Sequence, residues 1–216
     1  MHRIGPTGGF CLKTRLGGPS AAEHGATNSG SHTDAPLCEA LGMLMSGGTV
    51  ADLGAGRGQY GVCLGPHVVQ YKAFDGSEGI ETVTDGKVTF LDLSVPTWLG
   101  QTFDWVMSVE VGEHIAPSAE GAFISNLLRH VGGGGLVLSW ATPGQGGHHH
   151  VNERPHDYII DQVHTLSGGT LHLNSNVTSS LRRLSTLPWF KRNIMVFDRV
   201  KPGSSDTVTT AVASRS

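Results

Sequence analysis

Three stretches of this 216-residue chain carry side chains able to do chemistry. The first is Asp52-Leu53-Gly54-Ala55-Gly56-Arg57-Gly58, an acid followed by three alternating glycines. The second, Glu110-Val111-Gly112-Glu113-His114, offers two carboxylates and an imidazole. The third is His148-His149-His150, with His156 close behind. Two more aspartates, Asp75 and Asp92, each follow a short apolar run. Alternating glycines let a backbone turn tightly and come close to a ligand. Imidazole titrates near neutrality and serves as a general base, and carboxylates with imidazoles also ligate divalent metals such as Mg, Mn or Zn.

The glycine turn discriminates between ligands. A dinucleotide site needs G-x-G-x-x-G from the end of the strand, and counting from Gly54 the last position is Gln59. Gly56-Arg57-Gly58-Gln59-Tyr60-Gly61 satisfies that pattern but starts two residues too far along, so a nicotinamide dehydrogenase fits poorly. The acid at Asp52 suits a ligand with a cationic amino-acid end. S-adenosylmethionine carries both an ammonium and a sulfonium. Asp75 stands 21 residues after Gly54, where its carboxylate can accept the hydroxyls of a ribose. Asp92, at the end of the next apolar run, stands where an adenine amino group can be met.

These residues need a sheet to align them. Val50–Leu53, Tyr71–Phe74, Val88–Leu91, Phe103–Val109 and Leu136–Ala141 read as strands, with Asn193–Asp198 as a last one. Helical stripes fall over Leu37–Met45, Ala119–Val131, Tyr158–Leu166 and Val177–Leu184. Leu171–Asn176 is compatible with strand or loop. Strands alternating with helices predict an α/β, doubly wound, mostly parallel sheet. Residues 1–36 are rich in Gly, Ser, Thr and His and read as a segment apart from the domain at 37–201, able to pack over its site; 202–216 read as a disordered tail.

Composition narrows the class further. Gly makes up 31 of the residues, roughly double the ordinary share of ~7%, which points to a globular chain with many loops. A net charge of −3 excludes a broadly basic nucleic-acid-coating protein. Arg182-Arg183 and Trp189-Phe190-Lys191-Arg192 read as core aromatics with a solvated basic face, not as a nucleic-acid interface. Cys11, Cys38 and Cys63 define no disulfide framework or zinc site, and Cys11 and Cys63 read as core filling. No apolar run reaches the length of a membrane span. A soluble cytoplasmic protein is expected, although Arg3, Lys13 and Arg15 precede the first acid, Glu23, and leave an organelle-targeting reading open.

The turn Val50–Gly58, Asp75 and Asp92 resemble the donor-binding motifs of class I S-adenosylmethionine-dependent methyltransferases, over roughly residues 37–200. Phe103–Ile115 resembles the fourth-strand segment of the type 11, ubiquinone-biosynthesis O-methyltransferase-like branch. A nearer likeness is to a group of methyltransferase-like proteins sharing the run Gly135–Asn152 and Leu187-Pro188-Trp189-Phe190-Lys191, with Gly9-Phe10-Cys11 also similar. Where that group has Gly-His-Gly-His, this chain has three successive histidines. The resemblance implies a Rossmann-like seven-stranded sheet with an antiparallel C-terminal strand. It implies that Asp52, Gly54, Gly56, Gly58, Asp75, Asp92, Leu93 and Glu110 hold the donor.

Three readings of the acceptor side follow. In one, His114, Glu113, His148 and His150 are the catalytic set, with His114 or a loop histidine as general base. Glu110, Glu113 and His114 would share one face if that stretch opens a helical turn. In the second, Glu110, Glu113, His114 and a loop histidine bind a divalent metal, resembling the metal-assisted small-RNA 2′-O-methyltransferases. In the third, Glu113 and His114 only brace the strand end. The expected function is methyl transfer to an oxygen or nitrogen of a small molecule or protein side chain. The alternatives are the metal-assisted enzyme and a catalytically silent cofactor- or partner-binding module.

Overall fold

A computed structural model describes residues 33–200; the segment 1–32, with Cys11 and the Gly9-Phe10-Cys11 run, and the tail from residue 201 lie outside the described residues. Seven strands form one sheet: β1 (Thr49–Leu53), β2 (Gln70–Asp75), β3 (Val88–Phe90), β4 (Phe103–Ser108), β5 (Val131–Leu138), β6 (Leu171–Leu173) and β7 (Met195–Arg199). Their order is β3-β2-β1-β4-β5-β7-β6. The pairs from β3 to β5 are parallel, and β7 is antiparallel to both its neighbours. The sheet is therefore mixed and seven-stranded, with an antiparallel C-terminal strand, as expected. The order reverses between β1 and β4. In open α/β sheets ligands bind at the carboxyl ends of strands beside such a reversal.

The helices are α1 (Ala35–Leu44), α2 (Gly61–Leu64), α3 (Ile80–Val83), α4 (Glu120–His130), α5 (His156–Leu166), α6 (Ser175–Leu184) and α7 (Phe190–Asn193). Alternation along the strands sends side chains to two cores. Ala51, Leu53, Val106, Leu136 and Leu138 pack with Phe123 and Leu127 of α4 and Ile159 and Val163 of α5. Val50, Met107, Val137 and Val196 pack on the other face with Leu37 and Leu41 of α1 and Leu181 of α6. Asp34 caps α1 by accepting from the Leu37 amide and also accepts from the Thr186 and Leu187 amides at 2.6 and 2.8 Å. That one carboxylate thus pins the start of the domain to the loop after α6.

Several boundaries depart from the sequence reading. The strand expected at Leu136–Ala141 starts at Val131 and runs through Gly132–Gly135. A Cβ on Gly134 would stand 2.7 Å from the Asp104 carbonyl, and one on Gly135 2.1 Å from that of Phe197. The glycines are there for close backbone approach, not for a turn. Leu171–Leu173 is strand, whereas Asn174 caps α6 by accepting from the Val177 amide. The short helices α2, α3 and α7 are too brief to leave a periodic signal. Cys38 and Cys63 are joined as a disulfide between α1 and α2, with Cα atoms 6.0 Å apart. This corrects the expectation that the cysteines define no disulfide and that Cys63 merely fills core.

Candidate active site

The glycine turn leaves β1 at the topological reversal. Gly54, Gly56 and Gly58 have φ of +91°, +57° and +74°, a left-handed region closed to most side chains. The amides of Gly54 and Ala55 donate to the Phe74 carbonyl of β2 at 2.8 and 2.9 Å, which folds the turn over the sheet end. Asp75 then fixes it: Oδ2 accepts from the Gly56 amide at 2.8 Å, and Oδ1 accepts from the Ser77 amide and hydroxyl. The Asp92 carboxylate at the end of the β3 segment accepts from the Ser94 amide and hydroxyl in the same manner. Leu93, next to it, is buried in the core. The structure thus brings Gly54, Gly56, Gly58 and Asp75 into one cluster and sets Asp92 on a neighbouring turn.

Asp52 faces inward. It is 1% exposed, its Oδ2 accepts from the Tyr71 hydroxyl at 2.6 Å, and its Oδ1 is buried with no hydrogen-bond partner. Burial pushes its carboxyl up to about 7, against the pull of the Tyr71 hydrogen bond.

The second cluster follows β4. Glu110 takes a left-handed φ of +58°, so it does not share a helical face with Glu113 as the spacing suggested. Its amide donates to the Ser139 hydroxyl, which in turn donates to Glu110 Oε1, both at 2.7 Å. A 3₁₀ turn over Gly112–His114 carries the other two groups. A Cβ on Gly112 would stand 2.3 Å from the Trp140 ring, so only glycine lets this turn lie against the indole just beyond β5. Glu113 is fully buried, and its carboxylate oxygens have no close hydrogen-bond partner, only the backbone amides of Glu113 and Ala141 lying near them. Burial, reinforced by the nearby Glu110, holds the Glu113 carboxyl well above the usual range. The Glu110 carboxyl is raised by burial too. The imidazole of His114 is pushed down to about 4 by burial, so it is neutral at pH 7.

The histidine loop is clamped onto this turn. The Val151 and Asn152 amides donate to the Glu113 carbonyl at 2.9 and 3.0 Å, and the Trp140 indole donates to the Asn152 carbonyl at 2.6 Å. His150 reaches the second cluster, its ring edge-on to that of His114 with centroids 5.1 Å apart. His148 and His149 are exposed and pair with each other. His156 lies apart, 3.2 Å from the Trp140 carbonyl.

Two organisers escaped the sequence reading. Glu153 accepts from the Gly144 and Gly146 amides at 2.7 and 2.8 Å and lies 2.9 Å from His150 Nδ1, tying the loop into a ring. Glu120 accepts from Asn152 Nδ2, Arg154 Nε and the Tyr158 hydroxyl, anchoring the loop exit to α4. Neither carries a local sequence signal, since the donors of each come together only in the fold.

No model of a known protein family matches the chain, and no curated protein sequence does either. Solved structures do. The sugar N-methyltransferase KedS8 from Streptoalloteichus sp ATCC 53650 superposes with a TM-score of 0.62 at 14% identity, over 87% of this chain and 97% of that one. A TehB-like SAM-dependent methyltransferase from Corynebacterium glutamicum gives 0.56 at 17% identity, over 81% and 91%. Magnesium protoporphyrin IX methyltransferase from Synechocystis PCC 6803, with bound SAM, gives 0.53 at 20%, over 77% of each chain. The chain has the Rossmann-like fold of these methyltransferases.

Proposed function

We propose that the protein is an S-adenosylmethionine-dependent methyltransferase acting on an oxygen or nitrogen of a small molecule or an exposed protein side chain. The observation that carries this reading is the bond from the Gly56 amide to Asp75, which locks three left-handed glycines over the sheet end at the topological reversal. The residues present fit the donor. Asp52 keeps one buried oxygen without a partner, and a cationic amino-acid end is the kind of group that would satisfy it. Of the roughly four lone-pair sites of the Asp75 carboxylate, the three donors it already holds leave about one for a ribose hydroxyl. The segment Phe103–Ile115 supports placement in the ubiquinone-biosynthesis O-methyltransferase-like branch, and the runs Gly135–Asn152 and Leu187–Lys191 support a nearer likeness to a group of methyltransferase-like proteins.

When bound, the donor supplies a methyl group already activated on a sulfonium. What remains for the protein is alignment and proton removal. Glu110, held by Ser139, and the Gly112–His114 turn line the end of β4, with His150 brought in from the loop after β5. His114 is neutral at pH 7, but burial pushes its imidazole down to about 4, so it is a weaker base toward an acceptor within reach than an imidazole at its ordinary value. Calorimetric titration with S-adenosylhomocysteine, with NADH as control, tests the donor reading. Micromolar binding of the first and none of the second is the expected result; the reverse would assign the turn to a dinucleotide. No binding of either to the folded chain would favour the silent module.

A further inference from the structure

The glycine turn leans on a helix with little hold of its own. α2 spans only Gly61–Leu64, and a single turn of helix is unstable without tertiary support. Its first residue is tied to the glycine turn, since the Gly61 amide donates to the Gly58 carbonyl at 3.0 Å. Gly61 also lies against Tyr71: a Cβ there would stand 2.7 Å from the ring whose hydroxyl donates to Asp52. The position of α2 therefore sets both Gly58 and the Tyr71–Asp52 pair. Two things fix α2 in turn. Leu64 packs in the core on the α1 side of the sheet, and Cys63 is bridged to Cys38 of α1.

The surroundings of the bridge make its oxidation state matter to α2. The sulfurs of Cys38 and Cys63 lie 3.7 and 3.2 Å from the carbonyl oxygen of Tyr60. That same carbonyl accepts from the Leu64 amide at 3.0 Å, the bond that closes the helical turn. A disulfide sulfur carries no proton, so the closed bridge leaves the carbonyl to Leu64. Two thiols would each bring a weak S–H donor to it. Reduction thus removes the tether of α2 and sets up competition for the bond that closes its turn. Cys38 is 1% exposed, whereas Cys63 is half-buried, so an external thiolate can reach the sulfur of Cys63.

We propose that the Cys38–Cys63 bridge is a redox switch on the glycine turn: closed, it holds α2 against Gly58 and Tyr71, and its opening releases them. A dithiol opens it in two exchanges. The first thiolate attacks Cys63 Sγ, a mixed disulfide forms, and Cys38 leaves as a thiolate that takes up a proton. The second thiol then displaces Cys63. The protein gains two electrons and two protons, and the dithiol becomes a disulfide. On the methyltransferase reading above, opening lowers the affinity for the donor. The switch acts on the turn whether or not that reading holds.

The test compares the full chain oxidised and after reduction with dithiothreitol, by amide hydrogen exchange and by calorimetric titration with S-adenosylhomocysteine. On reduction, exchange at the Gly58, Gly61 and Leu64 amides should accelerate about 10-fold or more, while the amides of β5 keep their protection. Affinity for S-adenosylhomocysteine should fall about 10-fold, as it does when the docked turn drops to about a tenth of the population. Reoxidation with oxidised glutathione should restore it. Cys63→Ser should match the reduced parent in either condition, and Cys11→Ser should switch as the parent does. Equal exchange in the two forms would overturn the proposal, as would acceleration that extends through β5 or equal affinity where both forms bind. A response that persists in Cys63→Ser, or vanishes in Cys11→Ser, would assign it to other chemistry and overturn the proposal too. S-adenosylhomocysteine bound by neither form, with exchange still redox-sensitive, would instead overturn the donor reading and leave the switch standing.

Discussion

Gly54 and Val111 lie so close that a Cβ on the glycine would stand 2.3 Å from Cγ2 of the valine. The contact joins the donor turn after β1 to the segment carrying Glu110, Glu113 and His114. One residue without a side chain thus sets the spacing between the two halves of the candidate site.

Gly54→Ala should disturb both halves. The new methyl overpacks Val111 and meets a φ of +91°, which together cost roughly 2–4 kcal/mol. Urea unfolding should show that loss of stability, and S-adenosylhomocysteine affinity should fall with it. A variant of parental stability and affinity would mean that the turn and the Val111 segment can separate freely.

Asp75→Ala removes the acceptor of the Gly56 amide and of two Ser77 donors. Charged hydrogen bonds contribute about 1.5–3 kcal/mol each, so loss of one contact to the ligand weakens S-adenosylhomocysteine binding by roughly 10–100-fold. Calorimetry on the folded variant checks this. Unchanged affinity would remove Asp75 from the donor site.

Glu153→Gln tests how the histidine loop is held. The carboxylate gathers two amides and an imidazole, and a neutral amide with one acceptor oxygen cannot hold all three. Amide hydrogen exchange at Gly144 and Gly146 should accelerate, while S-adenosylhomocysteine affinity stays at the parental level. Unchanged protection would show that the hydrogen bonds from the Val151 and Asn152 amides to Glu113 suffice to hold the loop.

The sheet could be read from the chain because alternating apolar runs and strand-end acids are local signals. Asp75 needed only its distance from Gly54 to be placed. What escaped is set by partners far away in sequence. The glycines of β5 carry no strand signal of their own until the Phe103–Trp105 and Phe197 backbones are laid beside them. Glu110 looks helical beside Glu113 until Ser139, 29 residues on, captures its amide and carboxylate. Glu153 carries no local mark, because its three donors come together only when the loop closes. The cysteines at 38 and 63 show no pairing motif; only the packing of α1 on α2 brings them together.

The Cys38–Cys63 disulfide closes a loop with a sequence separation of 25, which by chain entropy corresponds to about 3 kcal/mol of stability. Thermal unfolding with and without reductant should differ by several degrees. Cys63→Ser should melt near the reduced parent and be indifferent to reductant. Equal melting of oxidised and reduced parent would leave the bridge without a stabilising role.

Asp52 gives the folded chain a pH dependence with a definite sign. Its carboxyl is raised from 3.8 to about 7 by burial, the Tyr71 hydrogen bond opposing the shift and the Asp75 charge adding to it. Below about pH 4 the group is protonated folded or unfolded and contributes no slope. Between about pH 4 and pH 7 the unfolded chain has lost the proton while the folded chain keeps it. Stability therefore falls as pH rises, by up to about 1.4 kcal/mol per unit, and the slope ends once the folded group ionises. Asp52→Asn keeps an acceptor oxygen for the Tyr71 hydroxyl, 2.6 Å away in the parent, and removes the titration. Its stability relative to the parent should improve by a few kcal/mol between about pH 5 and pH 7, then level off. Any fixed effect of the amide shifts that curve without changing its slope. A pH-independent difference would mean that the parent holds Asp52 ionised throughout, with a cation or donor reaching its buried Oδ1.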